Sequence, residues 1–197
     1  MERVKLRNKK LIKILLVSLL VILLVLIVSF YMYVSDYYRA DSAAVMAIQT
    51  GKDIQVLDNL TILSPEEATD IAFIFYPGAK VEATAYLPIL EKLRQNGITC
   101  VLVEMPFNMA IFNPNAADDV FELLPNIKNW YIGGHSMGGA MASNYASKNS
   151  DKVKGLILLG AYVYGDYPPE KALTVYGTFN SNLERNIDYT ENIVVID

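Results

Sequence analysis

Trp130-Tyr131-Ile132-Gly133-Gly134-His135-Ser136-Met137-Gly138-Gly139-Ala140 decides how this chain folds. It reads as an apolar strand, a sharp turn, and a helix continuing through Ala142, Tyr145 and Ala146. Within it, Gly134-x-Ser136-x-Gly138 is the spacing of a nucleophile elbow, a serine carried on a tight strand-to-helix turn. Such a turn strains the serine backbone and lifts the hydroxyl above the sheet edge. The residues two before and two after it come close together, where glycine fits and a side chain clashes. Gly139, Ala140 and Ala142 let the helix lie close to its strand. The first N–H groups of that helix, with its positive end, face the space above Ser136 and can stabilise an oxyanion there. The plainer alternative is a glycine-rich turn in which Ser136 only caps the helix. Neither G-x-G-x-x-G nor G-x-x-x-x-G-K-[ST] occurs, so the common nucleotide loops do not fit.

A second stretch, Tyr76-Pro77-Gly78-Ala79-Lys80-Val81, follows an apolar run. Together the two motifs resemble the α/β-hydrolases, in particular small bacterial hydrolases with a Tyr-Pro-Gly-x-Lys-Val loop. The resemblance covers about 38–197. It implies an α/β fold with a mostly parallel sheet flanked by helices, and acyl transfer to Ser136 from a small-molecule ester or related acyl substrate, with no cofactor.

The rest of the chain suits that fold. Residues 37–50 are alanine-rich and read as a helix ended by Gly51. Residues 54–56 and 60–63, around Asp58-Asn59, read as a strand hairpin whose turn lacks the usual glycine. Residues 71–76 form a continuous apolar strand stopped by Pro77-Gly78, the kind buried on both faces of a parallel sheet. Residues 83–95 carry Tyr86, Leu87, Leu90 and Leu93 at helical spacing. Pro88 means that this helix either kinks or starts late, with the proline in its first turn. Strands are expected at 98–103, 153–159, 172–176 and 192–196, a short helix at 116–124, and a partly helical polar segment at 180–189. Strands alternating with helices give a parallel sheet with right-handed crossovers.

Residues 14–34 are apolar apart from Ser18 and Ser29. At 1.5 Å per residue, about 21 residues span a bilayer core of about 30 Å. The run ends in Phe30-Tyr31-Met32-Tyr33, aromatic residues suited to the membrane interface. It reads as an uncleaved transmembrane anchor rather than a cleaved signal peptide. Before it stand six basic residues against Glu2 alone, a net +5; with −4 overall, the remainder carries −9. Residues 1–13 are therefore expected in the cytoplasm, with the 38–197 domain on the extracytoplasmic side of the cell membrane. An acidic remainder argues against nucleic acid as a partner. The single cysteine, Cys100, lies in an apolar strand and cannot form an internal disulfide.

Acyl transfer needs a nucleophile, an oxyanion hole, and a base held by an acid. Ser136 is the nucleophile and the Met137 N–H one oxyanion donor. The resemblance places the second donor at Ala79, with Lys80 as the alternative. The only histidine, His135, adjoins Ser136, and side chains next to the serine diverge from it in an elbow. His135 is therefore expected to pack beneath the turn rather than act as the base. No metal site is expected, since neither a second histidine nor a cysteine cluster accompanies it. In similar hydrolases an aspartate follows the strand that here is 172–176. Asn180 stands at that position, and Asp166 and Glu184 are substitutes. The resemblance also implies a histidine-bearing loop and a closing helix after the last strand, so the domain is expected to be incomplete at its C-terminus. Two readings follow: a serine hydrolase impaired by the missing triad histidine, or a non-catalytic family member serving as a membrane-anchored binding module. The loop at 107–114 is a candidate part of an acyl pocket by position.

Overall fold

The computed structural model describes residues 2–49, 53–67 and 69–197. It divides into two units, 1–36 and 37–197. The first consists of helix α1 (Glu2–Ser35), within which Asn8–Ser35 is long and apolar enough to cross a membrane. Its side chains from Leu11 onward are largely exposed.

The second unit contains one eight-stranded sheet. In chain order its strands are β1 (Ile54–Leu57), β2 (Leu60–Leu63), β3 (Ile71–Tyr76), β4 (Thr99–Val103), β5 (Asn129–His135), β6 (Val153–Leu159), β7 (Ala172–Gly177) and β8 (Ile193–Ile196). Their spatial order is β1-β2-β4-β3-β5-β6-β7-β8. The β1–β2 and β2–β4 pairs are antiparallel, and every other pair is parallel. The helices are α2 (Ser42–Gln49), α3 (Leu87–Gln95), α4 (Ala117–Leu123), α5 (Met137–Lys148) and α6 (Ser181–Glu184).

The period of two along β3 divides the core. Ala72, Ile74 and Tyr76 enter one cluster with Ile132, Ala142, Tyr145 and Leu158. Phe73 and Phe75 enter the other with Leu87, Leu90, Cys100 and Leu102. Burial on both faces explains why β3 is apolar throughout rather than alternating. Cys100 is completely buried, which pushes its thiol up to about 12 and keeps it protonated.

Several local features depart from the sequence expectations or sharpen them. The expected helix at 37–50 begins only at Ser42, because Asp41 caps it: Oδ1 accepts the N–H groups of Ala43 and Ala44. Tyr38 is instead extended and pairs with Val81 in a parallel bridge. Gly51, the expected helix end, lies outside the described residues. The β1–β2 turn manages without glycine because Asp58 adopts φ 44°, a region that Asp tolerates better than most residues. The 83–95 segment divides into a short 3-10 turn (Ala83–Tyr86) and α3, with Pro88 in the first turn of α3. Gly97, at φ 85°, closes α3. The far edge is apolar and open: Val194, Val195 and Ile196 on β8 are about half exposed, and Phe179 is 99% exposed.

Candidate active site

All the strands from β3 to β8 run parallel, so their carboxyl ends share one edge. Ligands in open α/β sheets bind outside that edge. Ser136 follows β5 directly and precedes α5. It is exposed, with φ 50° and ψ −119°. This is the left-handed half of backbone space, sparsely used by residues with a side chain, and it costs about 1–3 kcal/mol. Two main-chain bonds hold it. The Ser136 N–H donates to the Leu159 carbonyl at 2.9 Å, and the Ala140 N–H donates to the Ser136 carbonyl at 3.0 Å.

The glycine spacing has a measurable cause. A Cβ on Gly134 would strike the Tyr76 carbonyl oxygen and lie 2.7 Å from the Gly138 carbonyl carbon. A Cβ on Gly138 would strike the carbonyl oxygens of Tyr76 and Pro77. The elbow thus closes against the end of β3 and the loop that follows it, backbone on backbone, where neither side can yield.

That loop presents its amides selectively. The Gly78 N–H donates to Tyr86 Oη at 3.1 Å, and the Lys80 N–H donates to the Asn108 carbonyl at 2.8 Å. Among the described residues none accepts from the Ala79 N–H between them. Lys80, the alternative second donor, has its amide committed elsewhere. Met137 is the first residue of α5, and the opening N–H groups of a helix have no partner within it.

His135 is half buried, and its Nδ1 lies 2.8 Å from Tyr86 Oη. Its ring packs against Gly78, where a Cβ would sit 2.5 Å from Nδ1. Burial lowers its pKa, favouring the neutral ring. Burial likewise raises the pKa of Tyr86, against the pull of the Gly78 N–H. This places His135 under the elbow and against the Ala79 loop.

Asn180 lies three residues beyond β7 on the same edge and caps α6; its carbonyl accepts the N–H groups of Leu183 and Glu184 at 3.0 and 3.3 Å. It borders an open hollow lined by Gly177, Thr178, Phe179, Ile196 and Asp197. Asp166 is exposed in the β6–β7 connection, and Glu184 is exposed on α6. Two strand spacings separate β7 from β5, about 10 Å. Tyr86 and Tyr38 were not foreseen at this site. Tyr86 reads from sequence only as part of an apolar helical face, and nothing local marks Tyr38 as a partner of Val81.

Comparison with known proteins agrees with this architecture. Est1E from Butyrivibrio proteoclasticus superposes with a TM-score of 0.54 at 16% identity, covering 73% of this chain and 87% of that one. A dienelactone hydrolase from Anabaena variabilis gives a TM-score of 0.53 at 16% identity, covering 70% and 78%. A thermostable carboxyl esterase from Bacillus coagulans matches at 18% identity with a TM-score of 0.47 over 61% of this chain; the chain spans 47% of that esterase's length. No curated protein matches the sequence. The sequence model described as the alpha/beta hydrolase family matches residues 72–191, more than half of the chain. The chain belongs to the alpha/beta hydrolase family.

Proposed function

We propose that the chain is a membrane-anchored serine hydrolase domain for ester or related acyl substrates, built around Ser136 as nucleophile and the N–H groups of Met137 and Ala79 as oxyanion hole. The observation that carries this reading is the exposed, strained Ser136 at the N-terminus of α5, in an elbow closed against the loop bearing Ala79. In acylation, Ser136 Oγ attacks the acyl carbonyl carbon, and the oxygen that gains charge is met by those two amides in place of water.

The same geometry limits the chemistry. His135 is the only histidine in the 197 residues, and its Nδ1 is taken up by Tyr86. The position expected for the acid holds Asn180, which can orient an imidazole but brings no charge to stabilise its cation. Within these residues proton removal from Ser136 falls to water. By analogy with dissected triads, about 10³–10⁴-fold acceleration over water remains from binding and the oxyanion hole. Catalysis by the chain alone is therefore impaired, and acylation is the step that survives best. Acylation of Ser136 by an activated ester, read by mass spectrometry, tests this reading. The second reading, a binding module without chemistry, is favoured by the uncharged Asn180 and predicts no acyl-serine at all.

The apolar helix and its basic flank support a cell-membrane location with the domain outside the cytoplasm. Protease added to intact cells should then digest the domain. Protection of the domain while a known external protein is cut would reverse the assignment.

A further inference from the structure

The segment that leaves the membrane helix is hydrogen-bonded to the proposed oxyanion loop. The Tyr38 N–H donates to the Lys80 carbonyl at 2.8 Å, and the Glu82 N–H donates to the Tyr38 carbonyl at 2.8 Å. The Ala40 N–H adds a bond to Glu82 Oε2 at 3.0 Å. Tyr38 follows Ser35, the last residue of the candidate span, by three residues, and three residues reach at most about 11 Å. Covalent connection alone therefore keeps Tyr38, the residue bonded to that loop, within that reach of Ser35.

A second loop joins the first at the same place. Lys80 is bonded to Asn108, as described above, and this ties the β3–α3 loop to the one after β4. On that second loop Phe107 is 52% exposed, Ile111 54% and Phe112 49%. The two phenylalanine rings meet edge to face at 5.5 Å. Phe107 and Asn108 both sit at left-handed φ, 56° and 54°. A bulky residue there is an outlier, and such strain gathers at sites of function. The base of the loop is firm: Ala110 is fully buried, and Tyr76 Oη donates to the Pro114 carbonyl and accepts the Ala117 N–H. A packed base thus carries three large apolar side chains, each about half exposed, beside the tether of the candidate membrane helix. Tyr37, Tyr38 and Arg39 on that tether are residues of the kind that favour a lipid–water interface; the Arg39 guanidinium lies 4.7 Å from the Tyr37 ring centre.

We propose that Phe107, Ile111 and Phe112 seat in the lipid–water interface, and that Ser136 takes esters whose acyl chains reside in the bilayer. The substrate half rests on the serine-hydrolase reading above; the docking half does not. In the reaction, Ser136 Oγ bonds to the acyl carbon, the ester C–O bond breaks, and the serine proton ends on the departing alcohol.

The test uses the full chain reconstituted in phosphatidylcholine vesicles. Ile111→Cys and, as control, Lys154→Cys are each labelled with an environment-sensitive fluorophore. Lys154 is exposed at the opposite, amino-terminal edge of the sheet, and Cys100 is buried and unreactive. Lipids with brominated acyl chains should quench the label at position 111 several-fold more than the label at 154. Equal, weak quenching at both positions overturns the docking. In the same vesicles, acylation of Ser136 by 4-nitrophenyl palmitate should exceed that by 4-nitrophenyl butyrate at least tenfold. Faster reaction with butyrate overturns the substrate assignment. Acylation by neither ester overturns the serine-hydrolase reading and the substrate assignment with it, while quenching still decides the docking.

Discussion

Tyr86 Oη stands 2.8 Å from Nδ1 of His135 and at the same time accepts the Gly78 N–H at 3.1 Å. The roles at this contact depend on the histidine tautomer, and we assign the hydroxyl as the donor to Nδ1. His135 is then assigned as the neutral tautomer with its proton on Nε2. One hydroxyl thereby joins the residue before Ser136 to the loop that carries Ala79.

Tyr86→Phe keeps the ring and removes that junction. The Gly78 N–H and His135 Nδ1 are both left without their partner in a half-buried place. Losing such a bond costs about 1–3 kcal/mol. Thermal unfolding of the chain in detergent should show a lower midpoint. An unchanged midpoint would mean that the hydroxyl holds nothing in place.

The lowered pKa of His135 gives a pH dependence with a defined sign. Its folded pKa lies below the ordinary value of 6.5, so the unfolded chain binds the proton more readily. Its contribution is complete above about pH 6.5 and is lost as the pH falls below it. Protonation also turns Nδ1 into a donor and leaves the Tyr86 proton without its acceptor. Unfolding curves between pH 7.5 and 5 should show falling stability, with a smaller slope in His135→Gln. Identical slopes in the two proteins would assign the effect to other groups.

Strain at Ser136 predicts a substitution that stabilises the fold while abolishing the chemistry. Ser136→Gly relieves the φ 50°, ψ −119° geometry at the cost of added freedom in the unfolded chain, for a net gain of about 1 kcal/mol. Ser136→Ala keeps a Cβ and should gain nothing. Equal stability of the two variants, measured by urea titration, would show that the elbow stores no strain.

What the sequence made legible was what is set locally. The elbow could be read because its glycines answer to backbone contacts at the turn itself and at the end of the neighbouring strand, a pattern with a fixed spacing. β3 and β6 matched their expected bounds because strands buried on both faces are continuous apolar runs. The start of α2 was missed: the alanines from Ala40 onward favour helix, while the bond that holds Tyr38 extended comes from Lys80, far along the chain. The bond from the Lys80 N–H to the Asn108 carbonyl spans 28 residues, and the tie between Tyr86 and His135 spans 49. No short window of sequence carries such pairings. Only the closed sheet brings them together.

The measurement that bears most directly on the account is acylation of Ser136 by 4-nitrophenyl butyrate, followed by mass spectrometry of the peptide containing it, with and without added imidazole. The account predicts slow, stoichiometric acylation at Ser136, none in Ser136→Ala, and a marked acceleration when imidazole supplies the base that these residues lack. Rapid multiple turnover without imidazole would contradict the impaired base. Absence of any acyl-serine under both conditions would contradict the nucleophile itself.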